Sequence, residues 1–200
     1  MDWTRLKDNF SKRGYQVYVC ENEEDVKKTL RDKVLPEDID VAGFGNSQTC
    51  RDLNLIAFMR ERAKEVYVHD PKNYSSETTH RTEDAEVYFA SVNAISEDGH
   101  IVNIDGTGNR VAAMCYGPAH VILIVGRNKI VDTLEHAVER AKHAAVEVAV
   151  RGGKKTPCTV TGKCEECLAP DCVCSVMTIH RKVPKRSRIS ILFVQQDVGL

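Results

Sequence analysis

The run HVILIV, residues 120–125, is the most apolar stretch of the chain and indicates how the chain folds. A continuous apolar run of strand length is typical of a central strand buried on both faces, as in parallel sheets. Strands and helices alternate on either side of it. This alternation predicts an α/β protein with an open, mostly parallel sheet and with ligand chemistry at the carboxyl ends of the strands.

The remaining elements are predicted from periodicity, caps and turn residues. Predicted helices cover residues 6–15, 23–33, 47–65, 109–116 and 130–150. Predicted strands cover residues 16–20, 40–44, 66–69, 85–91 and 100–104, with 175–182 and 188–195 as a hairpin or two edge strands. Residues 71–79 are predicted to be a loop. We interpret residues 1–36 as an N-terminal segment of helices and a strand that precedes a domain at 37–200. This domain carries a cysteine-rich insertion at 157–174.

Composition excludes several classes of function. The chain has 200 residues, of which 42% are hydrophobic and 28% charged, with a formal net charge of −1. It lacks the basic excess that nucleic acid binding requires. Residues 1–20 contain no apolar segment of a signal peptide, and no apolar run approaches the roughly 20 residues of a membrane helix. We therefore expect a cytoplasmic protein with no nucleic acid and no membrane partner.

A glycine turn between a predicted strand and a predicted helix is the first candidate ligand site. It contains Gly43, Gly45, Asn46, Ser47 and Thr49. The glycines allow a ligand close to the backbone, and hydroxyls beside free N–H groups at a helix start suit a phosphate or carboxylate. The spacing is neither that of a dinucleotide fingerprint nor that of a P-loop. The alternative is a plain helix cap made by Asn46 or Ser47.

A second glycine turn contains Gly106, Gly108, Asn109 and Arg110. It also joins a strand to a short helix, and its arginine could hold an anion through two hydrogen bonds. The alternative is again a cap, with Arg110 on the surface. Because both turns follow strands of one sheet, we expect them to meet at one crevice that binds a small anionic metabolite.

Two residues beyond the strand at 85–91 are candidates for catalysis at this crevice. Asn93 and Glu97 follow that strand closely enough to line the crevice. Glu97 could act as an acid or base there. A single glutamate in an Asp-Gly turn is more commonly solvated, so the alternative is a surface residue.

Three segments resemble the LUD-domain (lactate utilisation) family: SVNAISEDG at 91–99, VNIDGTGNRVAA at 102–113 and VGRNKIV at 125–131. The chain is most similar to the short stand-alone branch that ends in a cysteine-rich segment. The resemblance implies a fold like that of ribose-5-phosphate isomerase, glucosamine-6-phosphate deaminase and the CoA transferases, with both glycine turns facing the ligand. It also implies a role in lactate or hydroxy-acid metabolism beside iron–sulfur proteins, and a homodimer or a redox partner protein.

Five of the eight cysteines lie within residues 157–174, PCTVTGKCEECLAPDCVC. The C-x2-C core is a recurrent metal knuckle, but the spacing matches neither ferredoxins nor a zinc ribbon with two such pairs. A redox dithiol is disfavoured by the acidic Glu165 and Glu166, and disulfides are rare in the cytosol. The three remaining cysteines, Cys20, Cys50 and Cys115, are predicted to be small buried hydrophobic residues.

The family resemblance implies which thiols bind the metal. The implied ligands are Cys158, Cys164, Cys167 and Cys174, with Cys172 as a spare. Four thiolates suit either a [4Fe–4S] cluster or zinc, and the likeness to lactate-oxidation proteins favours the cluster. Two functions remain open: an enzyme or redox subunit of hydroxy-acid metabolism, and a non-catalytic regulatory module. The second would hold a structural zinc and a crevice that senses a sugar phosphate or acyl-CoA.

Overall fold

The computed structural model describes residues 1–70 and 75–200. In these residues the strands are β1 (Gln16–Cys20), β2 (Ile39–Phe44), β3 (Ala63–Val68), β4 (Val87–Ala90), β5 (Ala94–Ser96), β6 (Ile101–Asp105), β7 (His120–Gly126), β8 (Ile130–Val131), β9 (Val176–His180) and β10 (Ile189–Val194). The α-helices are α1 (Trp3–Ser11), α2 (Glu23–Thr29), α3 (Gln48–Asp52), α4 (Leu55–Arg60), α5 (Ser76–Glu83), α6 (Asn109–Tyr116), α7 (Leu134–Arg151) and α8 (Pro157–Thr161). A π-helical turn, Leu30–Val34, continues α2, and a 3-10 turn, Arg127–Lys129, follows β7.

A six-stranded sheet forms the centre of the protein, in the order β1-β10-β7-β4-β2-β3, and all its neighbours are parallel. Strand β7 lies inside this sheet, and all seven of its residues are buried. The predicted fold class, an open α/β sheet with the HVILIV run at its centre, is therefore confirmed. Strand β1 pairs with β10, so the first 36 residues contribute one strand to this sheet.

Helices cover both faces of the six-stranded sheet. On one face, Val26 of α2 and Met59 of α4 pack against Phe44 and Phe89, whose rings stack 4.7 Å apart. On the other face, residues of α1 and α6 pack against the alternate residues of β7 and β10, among them Phe193. Burial of these side chains on both faces contributes about 25 cal/mol per Å² of apolar surface and fixes the strand ends that carry the site.

Both predicted C-terminal strands are present, but the prediction that they form a hairpin or two edge strands is wrong for β10. Strand β10 is neither an edge strand nor the partner of β9, because it lies between β1 and β7 and all six of its residues are buried. Strand β9 instead forms the edge of a second, four-stranded sheet in the order β8-β5-β6-β9. The second sheet is mixed, since β6 is antiparallel to both β5 and β9 while β8 is parallel to β5.

Helix α7 covers the second sheet and starts later than its hydrophobic pattern predicts. Ala137, Ala141 and Ala145 pack against β5 and β6. Thr133 is the N-cap, and its hydroxyl accepts a hydrogen bond from the N–H of His136 at 3.2 Å. The prediction that the helix begins at residue 130 is therefore wrong, because Ile130–Val131 forms β8 beside β5.

The single helix predicted at 47–65 is two short helices. Asn54 has φ 51°, in the left-handed region, which ends α3 and turns the chain into α4. Strand β3 then begins at Ala63, earlier than predicted. Within the predicted loop 71–79, residues 71–74 lie outside the described part of the chain. Helix α5 begins at Ser76, so the end of that loop prediction is wrong.

Candidate functional site

The carboxyl ends of β2, β4 and β7 lie side by side at one edge of the six-stranded sheet. Thr49 follows β2, Ser91 follows β4 and Lys129 follows β7. Open α/β sheets bind ligands at this edge. We use the name polar cluster for Thr49, Ser91, Asn93, Arg110, Lys129 and Arg140, which are joined there by hydrogen bonds.

The glycines of the first turn are required by contacts inside the protein. A Cβ at Gly43 would lie 2.8 Å from the carbonyl oxygen of Thr82, and one at Gly45 would lie 2.7 Å from the Tyr88 hydroxyl. Both distances are shorter than real Cβ contacts. The glycines thus allow β2 to pack closely against α5 and β4.

The polar residues of the first turn lie in different surroundings. Ser47 accepts a hydrogen bond from the N–H of Cys50 at 3.2 Å, so it is the N-cap of α3. Asn46 is exposed, whereas Thr49 is buried with its Oγ1 3.2 Å from Ser91 Oγ. Of the three, Thr49 enters the polar cluster. Ligand binding by Asn46 and Ser47 remains a prediction.

The second glycine turn is closed by Asp105. Its carboxylate accepts hydrogen bonds from the N–H groups of Thr107 at 3.2 Å and Gly108 at 3.1 Å. Gly108 has φ 90°, in the left-handed region that favours glycine, and Asn109 then begins α6 half-buried. These two N–H groups are therefore already paired with an anionic group of the protein itself.

The guanidinium of Arg110 holds the cluster together. Its nitrogens donate to five acceptors of the protein at 2.7–3.3 Å, and its side chain is 18% exposed. The acceptors are Asp105 Oδ2, Ser91 O, Asn103 Oδ1, Asn93 Oδ1 and Ile104 O. Arg110 is thus not a free surface residue, and an anion would have to share it with these partners.

Lys129, which the sequence analysis did not single out, lies at the centre of the cluster. Its ammonium donates to Thr49 Oγ1 and Ser91 Oγ at 2.8 Å each and to the carbonyl oxygen of Val92 at 3.2 Å. The residue is only 4% exposed. Burial, and next the nearby charge of Arg140, lowers the lysine pKa from 10.5 to about 7. Lys129 belongs to the segment at 125–131 that carries the family resemblance, but a lysine in the polar run Arg127–Lys129 has the local pattern of a solvated residue, so its burial was not predicted.

Arg140 brings a third cationic group to the same place from α7. It donates to the carbonyl oxygens of Asn128, at 2.8 Å, and of Asn93. Burial lowers its pKa. In the described residues, the ion pair of Arg110 with Asp105, at 3.3 Å, is the one salt bridge that any of the three cations makes. The cluster therefore holds three cationic side chains and one carboxylate partner.

Asn93 and Glu97, the two predicted catalytic residues, lie in different surroundings. Asn93 belongs to the cluster, where its Oδ1 accepts from Arg110 at 2.9 Å and from the N–H of Ile104 at 3.0 Å. Glu97 lies on the turn between β5 and β6, where its N–H donates to Val131. Within the described chain, no hydrogen bond joins the Glu97 carboxylate to the cluster. An acid or base role for Glu97 therefore remains a prediction.

The cysteine segment, residues 157–174, lies on α7. Helix α8 is capped by Gly162 in the left-handed conformation, and residues 163–175 form no helix or strand. The five thiols line one small cavity whose floor is apolar and includes Val146 and Ala149 of α7. Cys164 and Cys174 are exposed, and the other three cysteines are half-buried.

The thiols lie close enough to influence one another. Burial raises the pKa of Cys174 to about 11, helped by the charges of Cys172, Cys164 and Cys167. However, no three His, Cys, Asp or Glu side chains in residues 1–70 and 75–200 are gathered tightly enough for a single metal ion. The five thiols thus share one cavity but do not form a preformed site for a single ion in the described residues.

The segment reaches the second glycine turn, not the first. A Cβ at Gly106 would lie 3.3 Å from Cα and from the carbonyl oxygen of Val173. Two ion pairs also fasten the segment: Asp171 with Lys154 at 3.0 Å, and Glu166 with Lys142 at 2.8 Å. The cysteine segment and the polar cluster are therefore neighbours across the turn that Asp105 closes.

The three remaining cysteines differ from one another. Cys20 and Cys50 are fully buried, as predicted, and burial raises the pKa of each to about 11. The prediction for Cys115 is wrong, because it is exposed at the end of α6 with its sulfur 3.3 Å from His180 Nε2. All eight cysteines are free thiols.

These features define an α/β protein with an open parallel sheet, a cationic cluster at the carboxyl edge of that sheet and an attached cysteine segment. The sequence model of the LUD domain matches residues 3–194, so the chain belongs to the LUD-domain family. A crystal structure of a DUF162 family protein from Deinococcus radiodurans is similar, with a TM-score of 0.56 and 16% sequence identity. The match covers 96% of this chain and 95% of that chain, and at this identity it shows the fold alone.

No curated protein matches the chain. In the described residues, no helix is both long enough and apolar enough to cross a membrane.

Proposed function

We propose that this LUD-domain protein binds a small anionic metabolite of the hydroxy-acid type at the polar cluster and carries a thiolate-bound metal centre on the cysteine segment. The proposed ligands are Cys158, Cys164, Cys167 and Cys174, and a [4Fe–4S] cluster is the first candidate. The observation that carries this proposal is that all five thiols of the cysteine segment line one small cavity beside the second glycine turn.

The donor set fits a soft metal. Thiolates select zinc and iron–sulfur clusters over hard cations. In a [4Fe–4S] cluster each cysteine binds a different iron, so the four sulfurs stand around a volume, whereas four cysteines on zinc converge on one ion. Four thiolates suit either group, and membership of the LUD-domain family favours the cluster. Such a cluster would supply one-electron transfer, and a zinc ion would supply local folding energy.

The charge of the polar cluster supports an anionic ligand. Lys129, Arg110 and Arg140 are brought together with Asp105 as the one carboxylate that pairs with any of them in the described chain. Like charges held together in a region of low dielectric are costly, and a bound anion offsets that cost.

Metal analysis of anaerobically purified protein tests the metal part. We expect a brown protein with about four irons and four acid-labile sulfides per chain, the composition of a [4Fe–4S] cluster. Cys164→Ser should lose the colour and the iron. Cys115→Ser is the matched control, because Cys115 is an exposed thiol outside the cysteine segment. Iron retained in the Cys164 variant removes that residue from the ligand set.

A second function, a regulatory module with a structural zinc, has one observation in its favour. The floor of the thiol cavity is apolar, with Ala145, Val146 and Ala149 of α7 beneath the sulfurs. A metal bound there would fasten the cysteine segment to α7 as a clip. A colourless protein with one zinc per chain and no labile sulfide would favour this function over the first.

A further inference from the structure

The three cations of the polar cluster all contact one short segment, residues 91–93. Lys129 donates to Ser91 Oγ and Val92 O, Arg110 donates to Ser91 O and Asn93 Oδ1, and Arg140 donates to Asn93 O. Lys129 is the most deeply buried of the three, and all three of its acceptors are uncharged. A buried ammonium with neutral partners alone lacks the counter-charge that normally stabilises such a group.

A segment near the C-terminus covers this lysine. The N–H of Val198 donates to Asn128 Oδ1 at 3.2 Å, and the N–H of Gly199 donates to Asp52 Oδ2 at 2.9 Å. A Cβ at Gly199 would overlap Thr49 Oγ1 and would lie 3.2 Å from Lys129 Nζ. The backbone of Gly199 therefore lies directly over the two side chains.

Within the cover, the side chain of Val198 packs against the hydrophobic core, whereas Gly199 is held by hydrogen bonds. Asn128 also donates to the carbonyl oxygen of Gly199, at 3.5 Å, and Asp52 is exposed. Two or three hydrogen bonds of this kind contribute about 1 kcal/mol each. Gly199 has φ 74°, a conformation that glycine adopts without strain. A ligand that pairs with Lys129 gains a charge-assisted hydrogen bond that the cover does not provide.

We propose that Lys129 receives the carboxylate of the anionic ligand proposed above, with Arg110 and Arg140 adding positive charge, and that Gly199 is the part of the cover which this acid displaces. The inference rests on the anionic ligand of the proposed function and adds its receiving residue and its route of entry. It is independent of the metal centre.

Proton uptake is a specific consequence of this arrangement. The pKa of Lys129 is held near 7 by burial and by Arg140 and Arg110, with Cys50 and Asp52 acting weakly in the opposite direction. A carboxylate beside the ammonium raises that pKa again, so the protein takes up a proton from the buffer as the acid binds above pH 7. Affinity for the acid should therefore fall as pH rises above about 7.

Calorimetric titration of the anaerobically purified full chain tests this. Lactate, pyruvate and inorganic phosphate are titrated at pH 8 in two buffers of different ionisation enthalpy. We expect lactate or pyruvate to bind with uptake of a fraction of one proton. Lys129→Met should weaken binding at least tenfold. Lys64→Met is the control that leaves binding unchanged, because Lys64 is an exposed residue of β3, and circular dichroism confirms that each variant is folded.

Gly199→Ala tests the cover without touching the lysine. The added methyl group cannot lie against Thr49 Oγ1, so the cover moves away and affinity for the acid should rise several-fold. A fall in affinity would mean that Gly199 is part of the binding site, and this would overturn the displacement.

The remaining outcomes separate the two proposals. Equal binding by wild type and Lys129→Met, or binding without proton uptake, would overturn the role of Lys129 and leave the anionic function standing. Binding of phosphate but neither acid would overturn the carboxylate class. If none of the three probes binds, this inference and the anionic part of the proposed function both fail, while the metal centre is judged separately by its iron content.

Discussion

In the polar cluster, a buried lysine donates to three acceptors and an arginine donates to five, and these acceptors lie on α3, in residues 91–93 and on β6. In the cysteine segment, two of the five thiols are exposed. Among the hydrogen bonds of the described residues, one joins a thiol of this segment to a group other than a cysteine, and it links Cys158 to Thr156 Oγ1 at 3.1 Å. The first region is organised by the fold before any ligand arrives. In the second region the cysteine sulfurs lie near one another but few contacts with the rest of the protein hold them in place, which is typical of metal sites whose ligands are ordered by the metal.

The largest expected effects concern the cysteine segment, because loss of one ligand abolishes a thiolate centre. Cys158→Ser and Cys174→Ser should each reduce bound metal to nearly zero, whereas Cys172→Ser should keep most of it. Metal and labile sulfide per chain are measured after anaerobic purification. Loss of metal in the Cys172 variant equal to that in the other two would make Cys172 a ligand and contradict the proposed set.

The next effect concerns the polar cluster and depends on pH. The unfolded chain keeps the lysine proton up to about pH 10.5, whereas the folded protein loses it near 7. Between these values the unfolded state binds more protons, so the free energy of unfolding rises with pH. The contribution of Lys129 between pH 7.5 and 9.5 is about 2 kcal/mol.

Urea unfolding of wild type and Lys129→Met at several pH values measures this contribution. The difference in unfolding free energy between the two proteins should change by about 2 kcal/mol between pH 7.5 and 9.5. The wild type should become more stable relative to the variant as pH rises. A difference that does not vary with pH would show that Lys129 keeps an ordinary pKa, and the cluster would then not be organised as described.

Ser91→Ala should cost about 1–3 kcal/mol of unfolding free energy. The Ser91 hydroxyl donates to the carbonyl oxygen of Ile124 at 2.7 Å and accepts from Lys129 at 2.8 Å, so its removal leaves buried partners unpaired. Ser11→Ala, at an exposed position of α1, should change stability by less than about 0.5 kcal/mol. Urea unfolding compares the two variants, and equal stabilities would mean that the Ser91 hydroxyl does not organise the cluster.

The smallest effect on stability is expected at the contact between the two regions. In Gly106→Ala the new methyl group presses on Val173, which lies 3.3 Å away and must shift by a few tenths of an ångström. Unfolding free energy should fall by less than about 1 kcal/mol, while metal retention during dialysis should decrease. Thr107→Ala, at the exposed neighbouring position, is the control. Unchanged retention in both variants would show that the turn does not support the cysteine segment.

The sequence predicted much of the fold because apolar runs and alternating elements are local signals. The position and burial of strand β7 were predicted correctly for this reason. Strand β10 is a similar apolar run, ISILFV, and its buried interior position could have been inferred from the same rule that placed β7. The break at Asn54 has no comparable signal, because the hydrophobic period continues through it and tertiary packing decides the left-handed conformation.

For the site, the sequence predicted Thr49, Asn93 and Arg110, which the structure brings together at the carboxyl edge of the sheet. It did not predict Lys129 or Arg140. A lysine two residues after an arginine in a polar turn has the composition of a surface loop, and its burial depends on contacts with segments 80 and 38 residues away in the chain. Long-range contacts of this kind cannot be read from local patterns.

Hydrogen exchange of metal-loaded and metal-free protein tests the contrast between the two regions most directly. If the proposed metal orders the segment, metal loading should slow exchange of amides across residues 158–174 by at least tenfold. Amides of β2, β4 and β7 and of the cluster at residues 91–93 should exchange equally slowly in both forms. Equal protection of residues 158–174 in both forms, or loss of protection at 91–93 without metal, would contradict the account.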